Sequence, residues 1–305
     1  WRVKMNNVIL TKASVVRNIK DQKFTCKLSA DKRAIVSNLA EETLSTLGYS
    51  KVEDLNPETK QDLLNSGLIL GNTNNTFINK NKVAISLFEG EHFTVKTACV
   101  GYEESELKNI TEHVKALDNK ITFAYSDKFG YLTSDISLIG CGLKLESYID
   151  LSSICALGKI NQVVQNIRHL GYNLQQYDKE IYVLSSTCNL GYTETEIFEN
   201  FSKMLGEVQN LETESAQLLA STSKDEIMDK SFRSLAILGS AYLMNCDELK
   251  AHLGTIRLAR NLNFVDVDLE KINKLSMLSL NGKEYVSQSE LIDLATKVRT
   301  IIKGE

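Results

Sequence analysis

The chain has 305 residues, 43% of them hydrophobic, 24% charged and 7% aromatic, and 35 basic against 39 acidic side chains give a formal net charge of -4. That composition suits a globular protein with core enough for one large domain or two, and it argues against a dedicated nucleic-acid binder, which would carry a basic face. No run of eighteen apolar residues predicts a transmembrane helix, and Trp1-Arg2-Val3-Lys4-Met5-Asn6-Asn7 has no apolar signal core, so a cytoplasmic protein without a membrane partner is expected.

In chain order, Val8 to Leu10 reads as a strand. Ser29 caps a helix to about Leu47 with Ile35, Val36, Leu39 and Leu44 on one side. Asn56, Pro57 and Glu58 are a helix start, as N-cap, first helical residue and first-turn acid, and that helix ends by Gly67. A polar turn, Gly71 to Thr76, lies among expected antiparallel strands at Leu68-Ile69-Leu70, Thr76 to Ile78, Lys82 to Phe88 and Phe93 to Thr97. Helices are expected over Glu103 to Leu117 and Leu151 to Leu170, the latter closed by Gly171, with Ile181 to Ser186 as a strand. Thr193 and Glu196 form a capping box opening a helix to about Ala220. Ser221 to Asp225 reads as a polar linker or a surface loop, and Phe232 to Met244, Glu248 to Leu253, Leu269 to Lys274 and Glu290 to Ile302 read as helices. The plan is α+β over residues 1–220 followed by a helical domain over 225–305. Six cysteines, Cys26, Cys99, Cys141, Cys155, Cys188 and Cys246, form no CxxC pair. Free thiols and no metal site are expected.

Asp127-Lys128-Phe129-Gly130-Tyr131-Leu132-Thr133-Ser134, followed by Gly140-Cys141-Gly142-Leu143, resembles the GYLTSCPTNxGTGLRAS segment of phosphagen (guanidino) kinases. Val8 to Ile19 with Arg17-Asn18 resembles VLSSRIRLARNL, Ser86 to Val95 resembles INEEDHIRI, and Ile181 to Gly191 resembles IFQISNQMTLG. The helical tail, with Arg233-Ser234 and Thr255-Ile256-Arg257-Leu258, resembles the C-terminal domain of bacterial protein arginine kinases (McsB type). The resemblance implies an antiparallel sheet flanked by helices, similar to the glutamine-synthetase fold, and transfer of the γ-phosphoryl of Mg-ATP to a guanidinium. Arginines would hold the phosphates and a carboxylate would orient the acceptor and take its proton.

Set against that family, five arginine positions carry Lys12, Ser14, Thr94, Lys144 and Gln175. The catalytic glutamate position carries Gly90, beside Glu89, Glu91 and His92, and the reactive cysteine position carries Asp135. The loop bearing a second substrate-binding glutamate reads as deleted between Leu174 and Ile181. Near the end, Glu290 to Ala295 lacks both arginines of the family's RDxxRA motif, tied to phosphoarginine binding. Lysine keeps charge but loses the bidentate fork.

The expectation is therefore a non-enzyme, an inactive homologue serving as regulator, scaffold or adaptor, with no cofactor of its own. By analogy with the family, its partners would be a second copy, a related kinase, or a Clp-type protease system. The alternatives are a surviving ATP-dependent guanidino or protein-arginine phosphotransferase on Lys12, Lys144, Glu89 and Glu91, and a nucleotide-sensing module on converging Lys12 and Lys144. The residue-level expectations are a solvated turn at Glu89–His92, an Asp135–Lys144 salt bridge, structural roles for Arg17, Arg233 and Arg257 pairing across elements, an unreactive Cys141, and turn-preserving Gly130, Gly140 and Gly142.

Overall fold

The structure is a computed structural model describing residues 6–66, 68–69, 74–280 and 285–303. The expected features at Trp1 to Met5, Gly67, Leu70 and Gly71 to Thr73 lie outside those residues.

The N-terminal part runs β1 (Val8–Arg17), α1 (Ala30–Thr46), β2 (Ser50–Lys51), α2 (Pro57–Asn65), β3 (Thr76–Ile78), β4 (Ala84–Leu87), β5 (Phe93–Val100), α3 (Glu104–Lys108) and α4 (Ile110–Asp118). A hairpin, β6 (Tyr125–Ser126) and β7 (Gly130–Tyr131), leads into β8 (Leu143–Asp150), α5 (Ser152–Ala156), α6 (Ile160–His169), β9 (Tyr172–Asp178) and β10 (Ile181–Ser186). The rest is helical: α7 (Glu194–Ser240), α8 (Cys246–Asn261), α9 (Leu269–Leu280) and α10 (Gln288–Lys303).

Among the described residues one antiparallel sheet has eight strands, in the order β2-β3-β4-β5-β1-β8-β10-β9. The alternation of β1 puts Ala13 and Val15 against a core built with Val36 and Leu44 of α1, Val114 of α4 and Phe201 of α7. Lys12 and Ser14 point to the other face. There α9 covers one end of the sheet, where Met277 and Leu280 meet Leu10 and Ile181. A further apolar core joins Leu238, Leu253, Ile256, Leu275 and Leu294 of α7–α10. The mixed α+β region followed by a mostly helical region matches the expected class.

The expected caps are present. The Asn56 side chain accepts from Thr59 N at 2.7 Å, and Thr193 and Glu196 complete a reciprocal capping box. Other expectations need correction. Ile35 and Leu39 of α1 are exposed, and the buried side is Val36, Ala40, Thr43 and Leu44. The helix expected over Glu103 to Leu117 is two, joined at Asn109, and that over Leu151 to Leu170 breaks between Leu157 and Lys159, where Gly158 takes φ +68°. Leu68 and Ile69 are buried but belong to no strand. Ser221 to Asp225 is neither linker nor loop but lies inside α7, and only Ser223 leaves helical geometry, at φ -140° and ψ 31°.

Candidate functional site

The motifs of the N-terminal part are tied to one another by buried polar side chains. Asn18, at the end of the first motif, donates to Glu91 Oε2 at 2.6 Å and to the Leu132 carbonyl, while its Oδ1 accepts from His92 N. Glu91 Oε1 also accepts from Ser134 N and Oγ, both at 2.7 Å. Asn189 Oδ1 accepts from Leu143 N at 2.8 Å and Cys141 Sγ at 2.9 Å, and its Nδ2 donates to Ser137 O. These two asparagines clamp the ends of β1, β8 and β10 around the open face of the sheet. Both lie in motifs named from the sequence, Asn18 in Val8 to Ile19 and Asn189 in Ile181 to Gly191, but their bridging role is visible only in the fold.

Strand register then arranges that face, because directly paired residues share a side. Ser14 pairs with Lys96 on β5 and with Lys144 on β8. Lys12, two residues along β1, pairs with Ala98 and Glu146. Thr94 sits beside Val16 and Ser86, one step from Lys96 on the same side of β5. Beyond β8, a cleft of about 450 Å³ is lined by Asp135, Lys144, Glu146, Tyr148, Gln175 and Ser185, among others. The structure thus brings Lys12, Ser14, Thr94 and Lys144 onto one face, with Asp135 and Gln175 at its rim. Lys12 and Lys144 converge on Glu146. Lys144 Nζ lies 2.8 Å from its Oε1, and Glu146 is the attractive charge acting on Lys12. Lys12 stands 5.0 Å from the Tyr148 ring centroid, and burial holds its ammonium below the usual lysine range.

The turn between β4 and β5 is only partly solvated. Gly90 is the tip at φ +80°, and Glu89 is ion-paired with Lys96. Glu91 and His92 are buried and fully bonded, so the expected solvated turn stops at Gly90. Asp135 does not pair with Lys144. Its Oδ1 accepts from Ser137 N and Oγ to cap a short 3-10 turn, Ile136–Leu138, while Lys144 takes Glu146. Gln175 lies on the edge strand β9, whose hairpin to β10 closes through Lys179 and Glu180. No loop for a second glutamate stands there among the described residues.

The retained arginines differ. Arg17 is buried, donates to the Cys141 carbonyl at 2.8 Å, pairs with Asp118 and lies 3.5 Å over the Tyr131 ring. Arg257 is likewise buried. Arg233 does not pair across elements, since its partner is Asp229, one turn earlier on the same exposed face of α7. Cys141 is no activated thiol, because burial pushes it up to about 11. Gly130 and Gly140 face each other so closely that a Cβ on Gly130 would sit 2.7 Å from the Gly140 carbonyl oxygen. Their role as turn-keepers is borne out.

Sequence reading missed Lys96 and Glu146. Both were accessible through period-two alternation, Lys96 from Thr94 and Glu146 from Lys144.

An antiparallel sheet backed by helices, with cations and hydroxyls on its open face, is similar in fold to phosphagen kinases. The chain belongs to the ATP:guanido phosphotransferase family, whose C-terminal catalytic domain matches residues 30–215. It is 25% identical to the protein-arginine kinase of Clostridium botulinum, spanning 97% of this chain and 95% of that one. With the protein-arginine kinase of Staphylococcus haemolyticus it shares 23% identity over 88% and 84% of the two chains. Among solved structures, lombricine kinase superposes with a TM-score of 0.59 at 16% identity, over 73% of this chain and 70% of that one. The substrate-free duplicated taurocyamine kinase of Schistosoma mansoni also gives 0.59, at 18% identity over 83% of this chain, which spans only 38% of that duplicated protein. The expectation of a non-enzyme is corrected by these findings. The match to a kinase family runs through most of the chain and includes the strands that build the open face. No helix among the described residues is long and apolar enough to cross a membrane.

Proposed function

We propose that the chain is an ATP-dependent phosphotransferase acting on a guanidino group, with a protein arginine side chain as acceptor. The observation that carries this reading is the convergence of Lys12 and Lys144 on Glu146 across adjacent strands, on the face where the family binds phosphate. The two ammoniums would hold the nucleotide phosphates as point charges where a guanidinium would grip them with a fork. Positioning and charge stabilisation supply most of the catalysis in phosphoryl transfer, so cations of either kind serve the developing charge. Glu89, next to the Gly90 tip and paired with Lys96, would be the carboxylate that orients an incoming guanidinium and accepts its proton. Magnesium would arrive with the nucleotide, since this ion is held largely by substrate phosphates and water with one or two carboxylates.

The similarity of its relatives' names supports a protein arginine as acceptor, and the helical residues 225–305 would form a second unit, the surface for a second copy of the chain or a related kinase. Incubation with Mg-ATP and an arginine-rich acceptor protein tests the activity, read by phosphorus NMR for an acid-labile phosphoramidate. The expected result is a phosphoramidate signal that Lys144→Met reduces at least about tenfold. Nucleotide binding with no phosphoramidate would point instead to a sensing module.

A further inference from the structure

The cleft side of the sheet carries its own anions. Lys96 is paired with Glu89, and Lys144 Nζ lies 2.8 Å from Glu146 Oε1. Lys12 makes no ion pair among the described residues but feels both groups, Glu146 attracting and Lys96 repelling its charge. Register sets the spacing. Lys96 and Lys144 flank Ser14 on the two neighbouring strands, and Lys12 is the next residue on the same face of β1. With strands roughly 4.8 Å apart, the backbone positions of Lys96 and Lys144 stand two strand spacings apart on either side of Ser14, and Glu89 and Glu146 hold their ammoniums.

The pairs are built to open. Lysine is a compact point charge on a flexible stem, without the planar fork that fixes an arginine to one carboxylate. Glu89 adjoins Gly90, the open tip of the turn, where nothing lies within 4 Å of an added Cβ. The Lys144–Glu146 pair, with side chains 40% and 29% exposed, is worth little in water, while Lys96, 17% exposed, is held more firmly by Glu89 and Ser86.

We propose that Lys96 is a third polyphosphate-binding cation on this face of the sheet, and that Glu89 and Glu146 are internal counter-anions holding Lys96 and Lys144 until a polyphosphate displaces them. This rests on the phosphotransferase reading and adds a threshold to it. The free cleft is near neutral, and nucleotide enters only by breaking two pairs.

Calorimetric titration of the full chain with sodium tripolyphosphate and with Mg-ATP, at fixed ionic strength, tests it. Glu89→Gln and Glu146→Gln should each tighten tripolyphosphate about tenfold, the effect of removing one like charge a few ångströms from the ligand. Lys96→Met should weaken it about tenfold and cancel the gain from Glu89→Gln in the double variant. Either glutamine variant suffices if the other fails to fold. Unchanged or weaker binding by the glutamine variants overturns the proposal, and if the wild type still phosphorylates arginine the functional reading stands without it. A wild type that fails to bind while the glutamine variants bind supports the displacement and counts against turnover by the native chain. Failure of every variant to bind either probe overturns both.

Discussion

Arg257 and Asp150 meet in the interior, where guanidinium Nε lies 3.5 Å from carboxylate Oδ2 and both residues are almost wholly buried. The contact is a charge pairing longer than a hydrogen bond, and it joins α8 to the end of β8. The same guanidinium donates to the Asn6 carbonyl, Asn273 Oδ1 and Ser276 Oγ, so one side chain ties the helical region to the start of the sheet. Burial raises the Asp150 pKa above its usual value, and Arg257 opposes that rise. Arg257→Met should cost about 3–5 kcal/mol, because it strands a buried carboxylate. Adding Asp150→Asn should recover part of the loss. Urea denaturation of the two single variants and the double checks this. Simple additivity would show that the pair is not coupled.

Glu212 of α7 accepts from Ser153 N at 2.8 Å and Ile154 N at 3.1 Å, and burial pushes its carboxyl up to about 8, with the Asp150 charge adding to the rise. The folded chain therefore keeps this proton to about pH 8, whereas the unfolded chain releases it near 4.5. Between those values the native state binds more protons, so the Glu212 contribution to stability falls as pH rises, by at most about 1.4 kcal/mol per pH unit. Glu212→Gln sets an amide against one of the two N–H donors and should lower stability outright. The informative quantity is the slope. Denaturation midpoints from pH 5 to 8 should decline less steeply in the variant, and parallel slopes would remove Glu212 as the cause.

Periodicity and caps reveal much of this fold in advance. Ile181 to Ser186 is a strand over the span expected, and the capping box at Thr193 opens α7 where expected. Failures came where tertiary packing overrides a local signal. Ser221 to Asp225 looks like a linker because its side chains are small and polar, yet the helix continues through it with one distorted residue. Strand β8 is legible in its period-two alternation, buried Leu143, Leu145 and Ser147 against half-buried Lys144, Glu146 and Tyr148, and was passed over nonetheless. At the site, Lys12, Ser14, Thr94 and Lys144 were legible from family motifs. Lys96 and Glu146 share that face by alternation with Thr94 and Lys144, but that they stand opposite Ser14 and Lys12 is set by strand register, a property no local window contains.

His92 offers a test with the opposite sign. Ile19 N donates to its Nδ1 at 3.0 Å, so the ring carries its proton on Nε2 and donates that to the Lys23 carbonyl at 2.9 Å. Burial holds the imidazole below its usual 6.5, with Arg33 adding to the effect. The unfolded chain binds the proton first. The His92 contribution is complete above pH 6.5 and is lost as pH falls from there toward the lower folded value. Nitrogen NMR of labelled histidine should show His92 as the Nε2–H tautomer at neutral pH. His92→Asn should flatten the acid limb of the stability profile, and a His92 that titrates at or above the ordinary 6.5 in the native state would contradict the assignment.

Gly142 takes φ +71° between the Gly140–Cys141 turn and β8, and a Cβ placed on it would lie 2.7 Å from the Val16 carbonyl oxygen and 3.0 Å from Arg17 Nη1. The first contact is with backbone that cannot retreat, since Val16 N bonds to the Gly142 carbonyl at 3.0 Å and holds β1 in place. The second is with the guanidinium that grips the Cys141 carbonyl. Gly142→Ala should therefore cost on the order of 1–3 kcal/mol from backbone conformation alone, and more once β1 shifts. That shift would move Ser14 and Lys12 relative to Lys144, so nucleotide affinity should fall along with the melting temperature. Gly158→Ala serves as the control. It has a similar φ of +68° but nothing within 4 Å of its added Cβ. It should lose stability by strain alone, and affinity should stay unchanged. Equal losses of affinity in both variants would show that the turn at Gly142 does not set the spacing of the cations.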